Sequence, residues 1–218
     1  MRVEFTLIGA TPLLFHADDV EQSDTLQAWR KDTANRAQSV AGDDRSPPWT
    51  WQTYLYSDGT RLAWPSANLM VALRAAGAQV VLKKQKTYKE ITQSGLFVAR
   101  EFLAFTTNGK PVLMADIEAM RSGNFKQQTE AAAKLGFRLW CKRARVGQAK
   151  HVRVRARFET WEMVGELEVQ PHAADSLTYE RIQELFVLAS RVGMGDWRPG
   201  CKTPGPFGTF DVRLKRIK

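Results

Sequence analysis

Strand and helix periodicities alternate along this chain of 218 residues, which predicts a mixed α/β fold. Three observations carry that prediction. Residues 2–8 and 151–158 alternate apolar and polar side chains with the period of two of a half-buried strand. Between residues 178 and 192, Ile182, Leu185, Phe186, Ala189 and Val192 recur every three or four positions, the period of an amphipathic helix. A content of 44% hydrophobic and 25% charged residues is that of an ordinary globular chain and excludes a disordered or fibrous protein. The expected organisation is one domain over residues 1–218, with insertions at 18–50 and 83–135.

Taken in order, the first strand sets Val3, Phe5 and Leu7 against Arg2, Glu4 and Thr6, then runs through Gly9 to Pro12 into Leu13, Leu14 and Phe15. Residues 22–40 predict a polar helix that breaks at Gly42 to Pro48, an excursion from the core. Tyr54 to Tyr56 and Arg61 to Trp64 then predict a hairpin, with Asp58-Gly59 supplying the positive φ angles of its turn. A helix follows from Pro65, with Ser66 as its N-cap, Leu69, Leu73 and Ala76 on one face and Gly77 as its stop. Lys83, Lys84 and Lys86 sit in a short loop or thumb-like projection. Leu96 to Phe105 reads as a strand, 116–134 as two helical pieces around Gly123, and Phe210 to Lys215 as a final strand.

The formal charge of +9 is concentrated. Residues 131–158 hold nine basic side chains and no acid, while the other 190 residues carry 23 basic and 23 acidic groups and are neutral. Such a block is an electrostatic footprint for a polyanion. Within it Val152, Val154, Ala156 and Phe158 alternate with His151, Arg153, Arg155 and Arg157. Residues two apart on a strand lie about 6.6 Å apart, so three guanidiniums form a ladder able to grip phosphates bidentately. Arg143, Arg145 and Lys150 flank the ladder around a Gly147-Gln148 turn. The competing expectation is a face balanced by acids of a neighbouring strand, for which Glu162, Glu166 and Glu168 are available.

A glycine-rich stretch, Gly193 to Gly200 and on to Gly208, follows a helix and precedes a strand, the reverse of a dinucleotide-binding loop. Two readings stand: Trp197 and Arg198 stack on or clamp a nucleotide, or Trp197 packs in the core with Asp196 paired to Arg198. Among the histidines, His16 precedes Asp18 and Asp19, which keeps a nuclease centre open, but no paired-carboxylate or zinc-ligand spacing accompanies it. Cys141 and Cys201 lack Cys or His partners at ligand spacing, so structural thiols are expected, with no metal and no cofactor. No apolar run reaches the roughly 18 residues of a membrane span, and the start of the chain reads as a strand, so a cytoplasmic protein is expected.

Thr11 to His16, Trp64 to Leu69 leading into Ala72-Leu73-Arg74, Arg153-Val154-Arg155, and Gly193 to Pro199 with Phe207 to Phe210 together resemble a family of uncharacterised bacteriophage and prophage proteins. More distantly the layout is similar to the RAMP superfamily of CRISPR effector complexes. That resemblance implies an α+β, ferredoxin-like (RRM-like) β-α-β-β-α-β core with an antiparallel sheet and inserted thumb segments. It also implies binding of single-stranded RNA as a backbone-type subunit, self-assembly or assembly with related subunits, and a bacterial host cell. The four residues Cys201 to Pro204 lengthen the loop relative to the family pattern, which puts a compact phosphate cradle in doubt.

A non-enzymatic nucleic-acid-binding protein is therefore expected, for RNA or DNA. Its contacts would be Arg143, Arg145, Lys150, Arg153, Arg155 and Arg157, joined by Trp197 and Arg198 and by Lys83, Lys84 and Lys86. The alternatives are a phage factor that imitates a subunit of a host CRISPR-type complex and a metal-independent endoribonuclease using His16.

Overall fold

The computed structural model describes residues 1–217, Val146 by its backbone alone. The protein is α+β with antiparallel sheets. Its elements are β1 (Arg2–Gly9), β2 (Leu13–Leu14), α1 (Val20–Lys31), β3 (Ala63–Pro65), α2 (Ser66–Gly77), β4 (Val81–Lys83), β5 (Lys86–Thr87), α3 (Lys89–Gly95), β6 (Leu96–Val98), β7 (Phe102–Thr106), α4 (Met114–Ala119), α5 (Phe125–Lys134), β8 (Arg138–Val146), β9 (Ala149–Phe158), β10 (Glu162–Val169), α6 (Tyr179–Val192) and β11 (Phe210–Ile217). They divide into two compact units, one of Met1–Leu13, Ala63–Lys110 and Glu159–Lys218, the other of Leu14–Leu62 and Pro111–Phe158. The expected insertion at 18–50 lies inside the second unit, and the one at 83–135 is shared between the two.

The first unit is built on an antiparallel sheet of order β11-β1-β10-β7-β3, with β6 also paired to β10. Its inner face follows from the period-two pattern: Val3, Phe5 and Leu7 are buried opposite Leu167, Gly165 and Met163. Helices α2 and α6 of this unit contribute Leu69, Leu73 and Ala76, and Ile182, Leu185, Phe186 and Ala189, all buried. The Phe5 and Phe186 rings lie 5.5 Å apart. Burying each large apolar side chain of this set contributes about 1.5–3 kcal/mol before entropy is counted. Helix α6 starts where the Thr178 side chain accepts the Arg181 amide and stops at Gly193.

Local readings changed where backbone hydrogen bonds went elsewhere. Ser66 is the first helical residue, not the cap, because its amide donates to the Glu101 carbonyl at 2.8 Å. The hairpin at 54–64 shrinks to its turn, with an isolated antiparallel bridge between Ser57 and Leu62 and Gly59 at φ of 91°. Thr50 to Tyr54 is a 3-10 turn in which the Thr50 and Thr53 hydroxyls donate to the Pro47 and Thr50 carbonyls, and β3 pairs with β7. Leu96 to Phe105 is two strands, β6 and β7, that meet different stretches of β10.

In the second unit the core is aromatic. Trp51, Phe137, Phe158 and Phe15 form a chain of rings with centroids 5.7, 5.2 and 4.7 Å apart. The Trp51 indole N–H donates to Gln128 Oε1 at 2.6 Å, and Gln128 is itself fully buried on α5. That helix is anchored by a reciprocal capping box between Asn124 and Gln127. Replacing Gln128 by Leu strands the buried indole N–H and is expected to cost about 1–3 kcal/mol, read as a lower urea midpoint. Among the described residues no helix is long and apolar enough to cross a membrane.

Candidate nucleic-acid interface

The basic block folds as one hairpin of the second unit, β8 paired antiparallel with β9 around Gly147. Directly opposed residues of an antiparallel pair share a face. One face therefore holds Arg138, Trp140 and Lys142 against Arg157, Arg155 and Arg153. The other carries Leu139, Cys141 and Arg143 against the apolar Ala156, Val154 and Val152.

Three of the nine opposed pairs join two cations: Arg138 with Arg157, Lys142 with Arg153, and Arg145 with Lys150. Like charges directly opposite destabilise a sheet. Sequence alternation had found the row on β9, but the matching Arg138, Trp140 and Lys142 on β8 were missed. Their own alternation with Leu139 and Cys141 was the available signal.

The arginine row is not an open ladder. Residues 42–44 lie along the edge of β9, with the Val152 amide donating to Gly42 O at 2.8 Å and the Asp44 amide to Val152 O at 3.0 Å. This seats the Asp44 carboxylate, 1% exposed, where it accepts from Arg153 at 3.1 Å, Arg155 at 3.2 Å and the Val154 amide at 3.1 Å. Arg155 is buried, 4% exposed, with its guanidinium 4.0 Å from the Tyr54 ring centroid. The neighbouring acids expected at Glu162, Glu166 and Glu168 lie on β10, which pairs with β1, β6 and β7. A carboxylate 109 positions away in sequence carries no signal in the basic segment itself, so Asp44 went unread.

Arg143, Arg145 and Lys150 are exposed near the hairpin tip, Arg145 donating to Gly147 O and Gln148 Oε1. Burial pushes the Tyr54 phenol up, with the Asp44 carboxylate acting in the same direction. The Arg45 hydrogen bond holds the Asp43 carboxyl below its ordinary value. Burial also pushes the Cys141 thiol up, disfavouring the thiolate needed for reactivity. The His16 ring meets Tyr54 edge-on at 5.5 Å, and Asp19 caps α1. Among the described residues no group of three His, Cys, Asp or Glu side chains is placed to hold a metal ion.

The remaining sequence-predicted residues belong to the first unit. Lys83 and Lys86 are opposed on the β4–β5 hairpin and Lys84 sits at its turn with φ of 52°, all three exposed. Trp197 and Arg198 are half-buried in a loop that folds on itself. The Arg198 guanidinium donates to Gly195 O at 2.9 Å, and the Met194 amide to Gly208 O at 2.9 Å. Cys201 to Pro204 close as a turn, with the Cys201 and Gly205 amides both donating to Arg198 O.

No protein-family model matches the chain, and no curated protein matches it.

Proposed function

We propose that this protein binds single-stranded nucleic acid, RNA or DNA, through the β8–β9 hairpin and is not itself an enzyme. The observation that carries the reading is the opposed cation pair at the hairpin tip. A hairpin that places Arg145 against Lys150, both exposed, stores repulsion that an incoming polyanion relieves. Arg143, Arg145 and Lys150 are the phosphate contacts at the hairpin tip. Arg153 is shared with Asp44, and Arg155 organises the hairpin from within. Lys83, Lys84 and Lys86 form a secondary basic contact, with Trp197 and Arg198 a further one.

In this reading the first unit is a ferredoxin-like core of RAMP type. Its support is the strand order β11-β1-β10-β6/β7, with α2 between β1 and β6 and α6 between β10 and β11: the layout of a split β-α-β-β-α-β unit. The side of that sheet opposite the helices carries Glu162, Glu166 and Glu168 on β10, all exposed. An RRM-type site needs aromatic residues on its central strands. That side is of mixed charge, with Arg2, Arg213 and Lys215 among these glutamates and Arg2 ion-paired to Glu166 at 4.0 Å, and it carries no aromatic side chain on β1 or β10, which favours the hairpin as the nucleic-acid surface. Self-assembly or assembly with related subunits belongs to the same reading.

The test is the triple variant Arg143→Gln, Arg145→Gln, Lys150→Gln. For single strands each lost phosphate contact is expected to reduce the log-affinity against log-salt slope by about 0.7, so the triple variant flattens it by about 2 for all sequences alike. An unchanged slope would remove the hairpin tip from the interface.

A further inference from the structure

We propose that Trp140 is a base-stacking site, so that the hairpin reads unpaired nucleobases as well as phosphates; the inference rests on the nucleic-acid reading above. Trp140 lies on the cationic face of β8, directly opposite Arg155. Lys142 Nζ is 5.9 Å from its ring centroid, and Arg138 stands two positions away on the same face, about 6.6 Å along the strand. Arg153 and Arg157 are its diagonal neighbours across the ladder, at about 7–8 Å.

The indole is only half-buried. It is thus a partly exposed aromatic surface with the exposed cations Arg138 and Lys142 before and after it on the strand. Nearby the Arg155 guanidinium packs over Tyr54 at 4.0 Å, and the His16 ring meets Tyr54 at 5.5 Å. Arg155 is held by Asp44, so the strand position opposite Trp140 is fixed by a buried ion pair. A surface for a polyanion without bases, such as polyphosphate, gains nothing from an indole at the centre of its cations. A single-stranded nucleic acid gains twice: phosphates reach the flanking cations while a base covers the ring. Stacking of this kind is tolerant of base identity because every base has a π-face, so the site selects unpaired strands and not a sequence.

The experiment compares two oligomers of equal length and charge, oligo(dT) and an abasic deoxyribose-phosphate chain, against the full-length protein, Trp140→Leu and Trp140→Phe. The wild-type protein is expected to bind oligo(dT) about tenfold or more tightly than the abasic chain. Trp140→Leu removes that preference and leaves the abasic affinity and its salt slope unchanged, and Trp140→Phe retains most of the preference. Equal wild-type affinity for both oligomers overturns the stacking site while leaving phosphate binding intact. A Trp140→Leu loss shared equally by both oligomers marks the indole as scaffold and overturns it as well. Failure of the wild-type protein to bind either oligomer or an oligo(U) RNA of the same length overturns both this site and the nucleic-acid reading.

Discussion

Replacing Asp44 by alanine is expected to destabilise the second unit by about 3–5 kcal/mol, the cost of leaving a buried charge without its partner. The magnitude follows from what the carboxylate holds. Arg155 is 4% exposed and Arg153 shares the same anion, while the Val154 amide also donates to it. Removing the carboxylate leaves one guanidinium desolvated beside Tyr54, two strand arginines repelling each other and the Val154 amide without its acceptor. Asp44→Asn keeps the acceptor and loses the charge, so it is expected to fall between the two. The measurement is urea unfolding followed by near-ultraviolet circular dichroism, which the aromatic core around Trp51 reports. A cost below about 1 kcal/mol would mean that Arg155 reaches solvent once released, and the pair would then belong with ordinary surface ion pairs.

Gly208→Ala is expected to be the most damaging single change in the first unit. A Cβ at this position would lie 1.8 Å from the Met194 carbonyl oxygen and 2.8 Å from its carbon, both backbone atoms that cannot swing aside. The residue also has φ of 73°, a left-handed conformation that costs an L-residue about 1–2 kcal/mol. Gly208 is tied on both sides, donating to Pro12 O at 2.8 Å and accepting from the Met194 amide at 2.9 Å. Gly109 supplies the control, with the same φ of 73° and nothing within 4 Å of its would-be Cβ. Gly109→Ala is expected to cost about 1–2 kcal/mol from backbone conformation alone, and Gly208→Ala at least about 3 kcal/mol. In a chain of this size that larger loss lowers Tm by roughly 6–12 °C. Equal losses in the two variants would show that the loop opens at no cost and is not the tight closure described here.

These two positions mark where sequence stops being sufficient. The crowding of glycines after α6 was visible at once, and both a phosphate cradle and a plain connection were consistent with it. Only the hydrogen bonds from the loop to Pro12 and within itself identify Gly208 as the point where two backbone segments touch. Likewise, alternation on β9 was legible because a strand imposes a period of two regardless of context. What covers the arginine face was not, since Asp44 reaches it from 109 residues away.

By itself the sequence determined the mixed helix-and-strand fold class, the first and last strands, the helices α2 and α6, and a single acid-free basic segment in an otherwise neutral chain. Those are consequences of local periodicity and of composition, which do not depend on what lies across the fold. Tertiary structure alone decided that residues 42–44 line the edge of β9 and that Asp44 covers the arginine row. It also decided that Arg155 is interior while Arg143, Arg145 and Lys150 are exposed. Long-range ion pairs are set by chain closure over many residues. Strand periodicity carries no information about that closure.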